Sequence, residues 1–371
     1  MKNRKSNIEV VRIFAMCLII LYHNWRYGGW SFEGITTNKI IVDALSMGGK
    51  LGVNLFACIS GYFFIKNWSV KKVIKIELQT LFISWVCLVI YILTVPLTVR
   101  ELIQCCIKNM MPVIFNQYWF VSAYIMLLFL EPFINVFVFK LSKRQIELFL
   151  TIMIVLWSII PTITAQTKDP FGYNQYIWLI VMYILGAYIK KYEEYIWSVD
   201  TKMLAYVCGG GGGILIILFM LPVFCEYLRK NDILIFINYK NLKACNSIIV
   251  VMATILLFLI FSRIKIKYNP IINRLGSAAF SVYLVHENVL LKNFVWQKFL
   301  NVKSFQESEW LILFLLFCVI IIYLMGFIID IAYELIYKIF FDKKIDVLAN
   351  FCNGKLSKIW SEDDTDFSNG C

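Results

Sequence analysis

Charge is scarce in this chain. Only 16% of its 371 residues are Asp, Glu, Lys or Arg, against about 25% in soluble domains. Hydrophobic residues make up 60%, and the mean hydropathy is +0.72. That balance excludes an ordinary soluble domain and points to an integral membrane protein. Histidine is scarcer still, with only His23 and His286. Cys105 and Cys106 are adjacent and no zinc spacing occurs, so no metal centre is expected. Eleven cysteines do not make a disulfide framework either. Cys17, Cys58, Cys87, Cys208 and Cys318 lie within apolar runs, where a thiol behaves as a small hydrophobe. No P-loop or dinucleotide fingerprint is present, which excludes the common nucleotide folds. After the apolar core Ile13 to Tyr22, the residues His23-Asn24-Trp25-Arg26 offer no small-residue cleavage site, so a retained first helix is expected.

What the chain has is apolar runs. Ten are long enough for about 30 Å of hydrocarbon, at 8–26, 45–65, 73–96, 118–139, 146–163, 175–191, 203–224, 245–262, 275–297 and 310–338. Lys and Arg divide unevenly between alternate connections, 22 against 12, and the richer set includes both termini. The positive-inside rule then places both termini in the cytoplasm. The expectation is an all-α polytopic membrane bundle of about ten helices over residues 1–345, followed by a polar tail, 346–371, expected to be disordered. The net charge of +12 comes from short basic clusters between apolar runs, a pattern that suits topology and lipid headgroups rather than nucleic acid.

Ionisable groups inside such runs are costly and mark a functional site by default. Glu9 and Arg12 are spaced to pair on a helix. His23 follows Arg12 by eleven residues, close to three turns and about 16 Å along the axis. Arg12 and His23 therefore share a face. The plainer reading is that Arg12 snorkels to the cytoplasmic surface and His23 anchors at the far interface. Among the inner connections, Lys72, Arg263, Lys265 and Lys267 fix topology and suit the phosphates of a nucleotide-like donor. Gly48, Gly49 and Gly52 suit close helix packing, and Gly209 to Gly213 suit packing or a local unwinding. Tyr118 and Trp119 open a span as an interfacial belt does, and residues 225–244 form the longest outer connection.

Four separated segments, in order, resemble the membrane acyltransferase 3 family, bacterial integral-membrane O-acyltransferases that modify envelope glycans. They are Glu9 and Arg12 with His23; Gly52-Val53-Asn54-Leu55-Phe56 leading to Ser60-Gly61; Trp119-Phe120 leading to Pro132; and Leu275-Gly276 through Tyr283-Leu284-Val285-His286. The resemblance implies that Asn54 and Ser60 face a central cavity, and that Tyr283 and His286 contact the donor or the acceptor. Many relatives carry a Glu five residues after the Trp, where this chain has Tyr124. It further implies a multi-pass protein of the bacterial inner membrane with no bound cofactor. Acetyl-CoA or another acyl-CoA is then the co-substrate, and a cell-envelope or lipid-linked glycan hydroxyl the acceptor; a homo-oligomer stays open.

On this reading His23 is the general base and Arg12 the donor-binding cation held by Glu9, because acyl transfer to an alcohol needs a base and positive groups for the developing charge. Ser60, Tyr118 and Tyr124 are the hydroxyls available if an acyl-enzyme forms. Direct transfer is favoured, since none has a partner at fixed spacing. The alternative is a transporter or flippase in which Glu9, Arg12 and His23 relay charge. No inverted repeat between the halves supports it.

Overall fold

In a computed structural model the chain is a bundle of helices, described over residues 5–63, 69–164, 171–197 and 242–362 together with Met220 and Phe224. No strand occurs among the described residues. Hydropathy gives the reason: in hydrocarbon an amide finds no water, and a helix satisfies its own ladder.

In chain order the helices are α1 (Ser6–Tyr27), α2 (Thr37–Ala44), α3 (Gly48–Tyr62), α4 (Val70–Thr94), α5 (Val99–Met110) and α6 (Trp119–Lys140). They continue with α7 (Lys143–Ile163), α8 (Gln175–Lys191), α9 (Ile248–Arg263), α10 (Pro270–His286), α11 (Leu311–Phe340) and α12 (Asp342–Glu362). Among the described residues, six are long and apolar enough to cross a membrane: α1, the continuous α2 and α3 (Thr37–Tyr62), α4, α6, α7 and α11. The spans expected at 175–191, 245–262 and 275–297 are α8, α9 and α10, of 17, 16 and 17 residues. Apart from Met220 and Phe224, the one expected at 203–224 with its five glycines, and most of the connection 225–244, lie outside the described residues.

One expectation is corrected. The helix expected to reach residue 297 stops at His286, because the Asn288 side chain accepts the amide of Leu290 two residues on (3.0 Å) and a π turn, Phe294–Phe299, follows. Of the stretch 346–371 expected as a polar tail, residues up to Glu362 continue the helix that starts at Asp342, and 363–371 lie outside the described residues. Its polarity is used: Lys71 at the start of α4 bonds Asp342 (3.0 Å) and Asp346 (2.5 Å), and Asn353 accepts the Val70 amide (3.3 Å).

The bundle is organised around α1, which packs against α3 and α10. Gly48, Gly49 and Gly52 sit on the α1 side of α3, where added β-carbons would meet the Leu18 carbonyl, the Tyr22 ring and the Ala15 carbonyl. Their packing role is therefore real. On the opposite side of α3, Gly61 rests on the Tyr183 carbonyl and Gly186 of α8 on the Cys58 carbonyl, a crossing with no room for a methyl group.

The bundle has two distinct ends. At one, Lys5 bonds Tyr62 (3.1 Å) and Glu193 (3.3 Å), joining the start of α1 to the ends of α3 and α8, while the Asn269 amide donates to Ser6. At the other, Tyr27 meets Glu287 and Lys292, and Gln297 donates to the Tyr27 carbonyl (2.9 Å).

Candidate active site

At 100° per residue, positions 12, 19 and 23 of α1 fall within about 20° of one line. Arg12, Ile19 and His23 occupy that line, and two cavities open along it.

Toward the Lys5 end lies the Arg12 cavity, of about 230 Å³, walled also by Ser60, Gln79, Tyr124, Ser277 and Tyr283. Arg12 Nη1 donates to both carboxylate oxygens of Glu9 (2.7 and 2.6 Å). Glu9 is only 1% exposed, and it fits there because α10 offers Gly276, where a β-carbon would strike the carboxylate. A charge buried this deeply needs such a partner. Ser60 Oγ and Tyr124 OH are 3.2 Å apart. Below them Gln79 donates to Ser281 (2.7 Å) and Asp330 (3.1 Å), and Arg274 donates to Asp330 (2.5 Å), so the buried carboxylate is fully engaged.

Toward the Tyr27 end lies the His23 cavity, also about 230 Å³, walled by Tyr22, His23, Arg26, Tyr27, Lys50, Trp119, Gln175 and Glu287. Ile19, Val53 and Tyr283 line both cavities, so the two adjoin at that neck. His23 Nε2 is 3.2 Å from Glu287 Oε2. The other carboxylate oxygen accepts from Tyr27 OH (3.1 Å), which itself accepts from Lys292 (3.3 Å). Glu287, held by Tyr27, thus stands beside the His23 ring as a counter-charge for its protonated form.

The sequence-derived candidates divide cleanly. Arg12, Ser60 and Tyr124 wall one cavity, His23 and Trp119 the other, and Tyr283 both. Asn54 walls neither: one position on from Val53, it is turned away and fully engaged, donating to the Cys245 carbonyl (2.9 Å) and accepting from Trp178 (3.2 Å). Tyr118 is buried and accepts from Asn288 (2.6 Å). His286 is buried too, its Nδ1 donating to the Val282 carbonyl (2.5 Å) one turn back, and its ring centroid is 5.0 Å from that of His23. It stands behind the cavity wall, and Glu287 beside it takes the place facing the cavity. Lys72 bonds the buried Glu131 (3.1 Å), and Arg263 donates to the Ile196 carbonyl. Lys265 and Lys267 are exposed in the connection before α10, near the start of α1.

Sequence reasoning missed Glu287, Lys50, Arg26 and Tyr27. The rule that singled out Glu9, an ionisable group at the edge of an apolar run, applies equally to Glu287, which the adjacent histidine overshadowed.

These features define a class: an all-helical, multi-pass membrane protein with paired ionisable groups around two adjoining cavities. The acyltransferase domain of the acyltransferase 3 family matches residues 5–329, and the chain belongs to that family. No curated protein matches the chain, and no solved structure does.

Proposed function

We propose that this membrane acyltransferase moves an acyl group, acetyl in the simplest case, from a cytoplasmic acyl-CoA to a hydroxyl of a cell-envelope glycan or its lipid-linked precursor. The protein then sits in the bacterial inner membrane with its Lys5 end in the cytoplasm. One observation carries the reading: the Arg12 cavity and the His23 cavity meet at Ile19, Val53 and Tyr283. A thioester entering past Arg12 and a hydroxyl entering past Trp119 would meet at that neck.

In this reaction the carbonyl C–S bond breaks and a C–O bond forms. His23 takes the hydroxyl proton as the oxygen attacks, and the proton passes to the departing thiolate, leaving free CoA. Glu287 fixes the ring and stabilises the imidazolium that forms, as the carboxylate of a catalytic triad does. Arg12, held by Glu9, offers a planar fork to a donor phosphate or carbonyl. Transfer is direct. Ser60 and Tyr124 lie in the Arg12 cavity, and neither has a histidine or carboxylate among the partners described for it.

Purified protein in detergent should consume acetyl-CoA only when a glycan acceptor is present, and Arg12→Lys should weaken acetyl-CoA binding by about tenfold despite the retained charge. Binding of acetyl-CoA without turnover on any glycan would contradict the proposal.

A further inference from the structure

The His23 cavity has a charge imbalance that the chemistry above does not use. Its described lining holds two permanent cations, Arg26 and Lys50, and one carboxylate, Glu287. That carboxylate accepts from Tyr27 and lies 3.2 Å from His23, on the side of the histidine. A third cation, Lys292, stands behind Tyr27, its Nζ 4.5 Å from the ring centroid. Neither Arg26 nor Lys50 forms an ion pair among the described residues.

Lys50 is the more telling of the two. It lies in α3 within a membrane-spanning helix, half-buried, with its Nζ 5.5 Å from the centroid of the Tyr22 ring. Arg26, at the exposed mouth, donates from Nη1 to the hydroxyl of that same Tyr22 (3.0 Å). Tyr22 is thus flanked by an ammonium and a guanidinium, its ring seated where Gly49 leaves room. An ammonium at membrane depth with no carboxylate beside it is expensive, and such residues line the paths of charged substrates. A fork and a point charge converging on one tyrosine suit the oxygens of a carboxylate or phosphate.

We infer that the His23 cavity holds its acceptor by an oxyanion, bound between Lys50 and Arg26, so that a hydroxyl of the same molecule comes to His23. The shared chemistry has two sources: the carboxylate of an acidic sugar, or the pyrophosphate of a lipid-linked glycan. The inference rests on the reading that the acceptor enters at the His23 end.

The test uses the full chain in detergent and three probes: a glucuronate-containing disaccharide, its carboxyl-reduced counterpart, and a neutral disaccharide on a polyprenyl pyrophosphate. Affinities are measured for wild type, Lys50→Gln and Arg26→Lys, with acetyl-CoA binding and thermal unfolding followed on the same preparations. At least one charged probe should bind wild type about tenfold tighter than the neutral disaccharide, the scale of one charge-assisted contact. Which probe does so identifies the source of the oxyanion. Lys50→Gln should erase that preference while acetyl-CoA affinity and melting temperature hold, and Arg26→Lys should reduce it partway. Equal affinity for charged and neutral probes, or no measurable binding of any probe beside normal acetyl-CoA turnover, would overturn the inference and leave acyl transfer standing. Loss of acetyl-CoA affinity in Lys50→Gln would mark this cavity as the donor end and overturn both.

Discussion

Glu287 and His23 meet at 3.2 Å in a wall that is otherwise largely aromatic and aliphatic. Replacing that carboxylate by an amide of the same shape keeps the packing and removes the charge that stabilises an imidazolium. Glu287→Gln should therefore lower kcat by about a hundredfold or more, with acetyl-CoA affinity and melting temperature near normal. Steady-state kinetics with a parallel binding isotherm separates the two effects, and an unchanged kcat would remove Glu287 from the chemistry. Arg12 and His23 were legible as a pair because helical register is local arithmetic. Glu287 was not, since its approach to His23 depends on where α10 ends, and that is set by the turn in which Asn288 accepts the Leu290 amide. Asn54 misled for a related reason. A polar residue beside the cavity-lining Val53 is consistent with either face of α3, and only the Cys245 carbonyl and Trp178 settle which one it takes.

Helix identity was the part most readable from hydropathy, because spans such as α1, α4, α6 and α11 need only length and apolar content. Helix crossings are less readable, since they depend on which small residues meet. Gly61 and Gly186 lock α3 to α8, and through α3 they set the wall of both cavities against α1. Gly61→Ala would press a methyl group into the Tyr183 carbonyl and should cost about 1–3 kcal/mol. Thermal unfolding in detergent should show a lower melting temperature, whereas Gly354→Ala in α12, whose β-carbon would meet nothing within 4 Å, serves as the control for a glycine that no helix crossing needs. The charges just after α11 read in sequence only as solvated, because the partner that they meet is remote along the chain. In the fold, Asp342 and Asp346 face Lys71 from a distant part of the chain.

For the whole molecule, the two ends of the bundle are chemically unlike. Lys5, Lys190 and Glu193 cluster at one, and Tyr27, Lys292 and Gln297 at the other. The proposal places the first in the cytoplasm, where acyl-CoA is made, and the positive-inside bias of 22 to 12 agrees. Reporter fusions after Lys72 should report cytoplasm, and fusions after Ser308 should report the outer side. The reverse pattern would put Arg12 on the wrong side for a cytoplasmic donor. It would dismantle the two-ended scheme even if the cavities are real.

The central claim is that His23 is the base, and the variant His23→Gln tests it most directly, because glutamine keeps the polarity and most of the volume while removing the titratable nitrogen. Radiolabel transfer from acetyl-CoA to glycan should fall by about 10²–10⁴-fold, with membrane insertion, melting temperature and acetyl-CoA affinity close to wild type. Wild-type transfer should also decline as pH drops through the imidazole titration, since a protonated ring has no lone pair for the hydroxyl proton. A well-folded His23→Gln protein that still esterifies glycan at close to the wild-type rate would contradict the account and leave His23 as an interfacial residue.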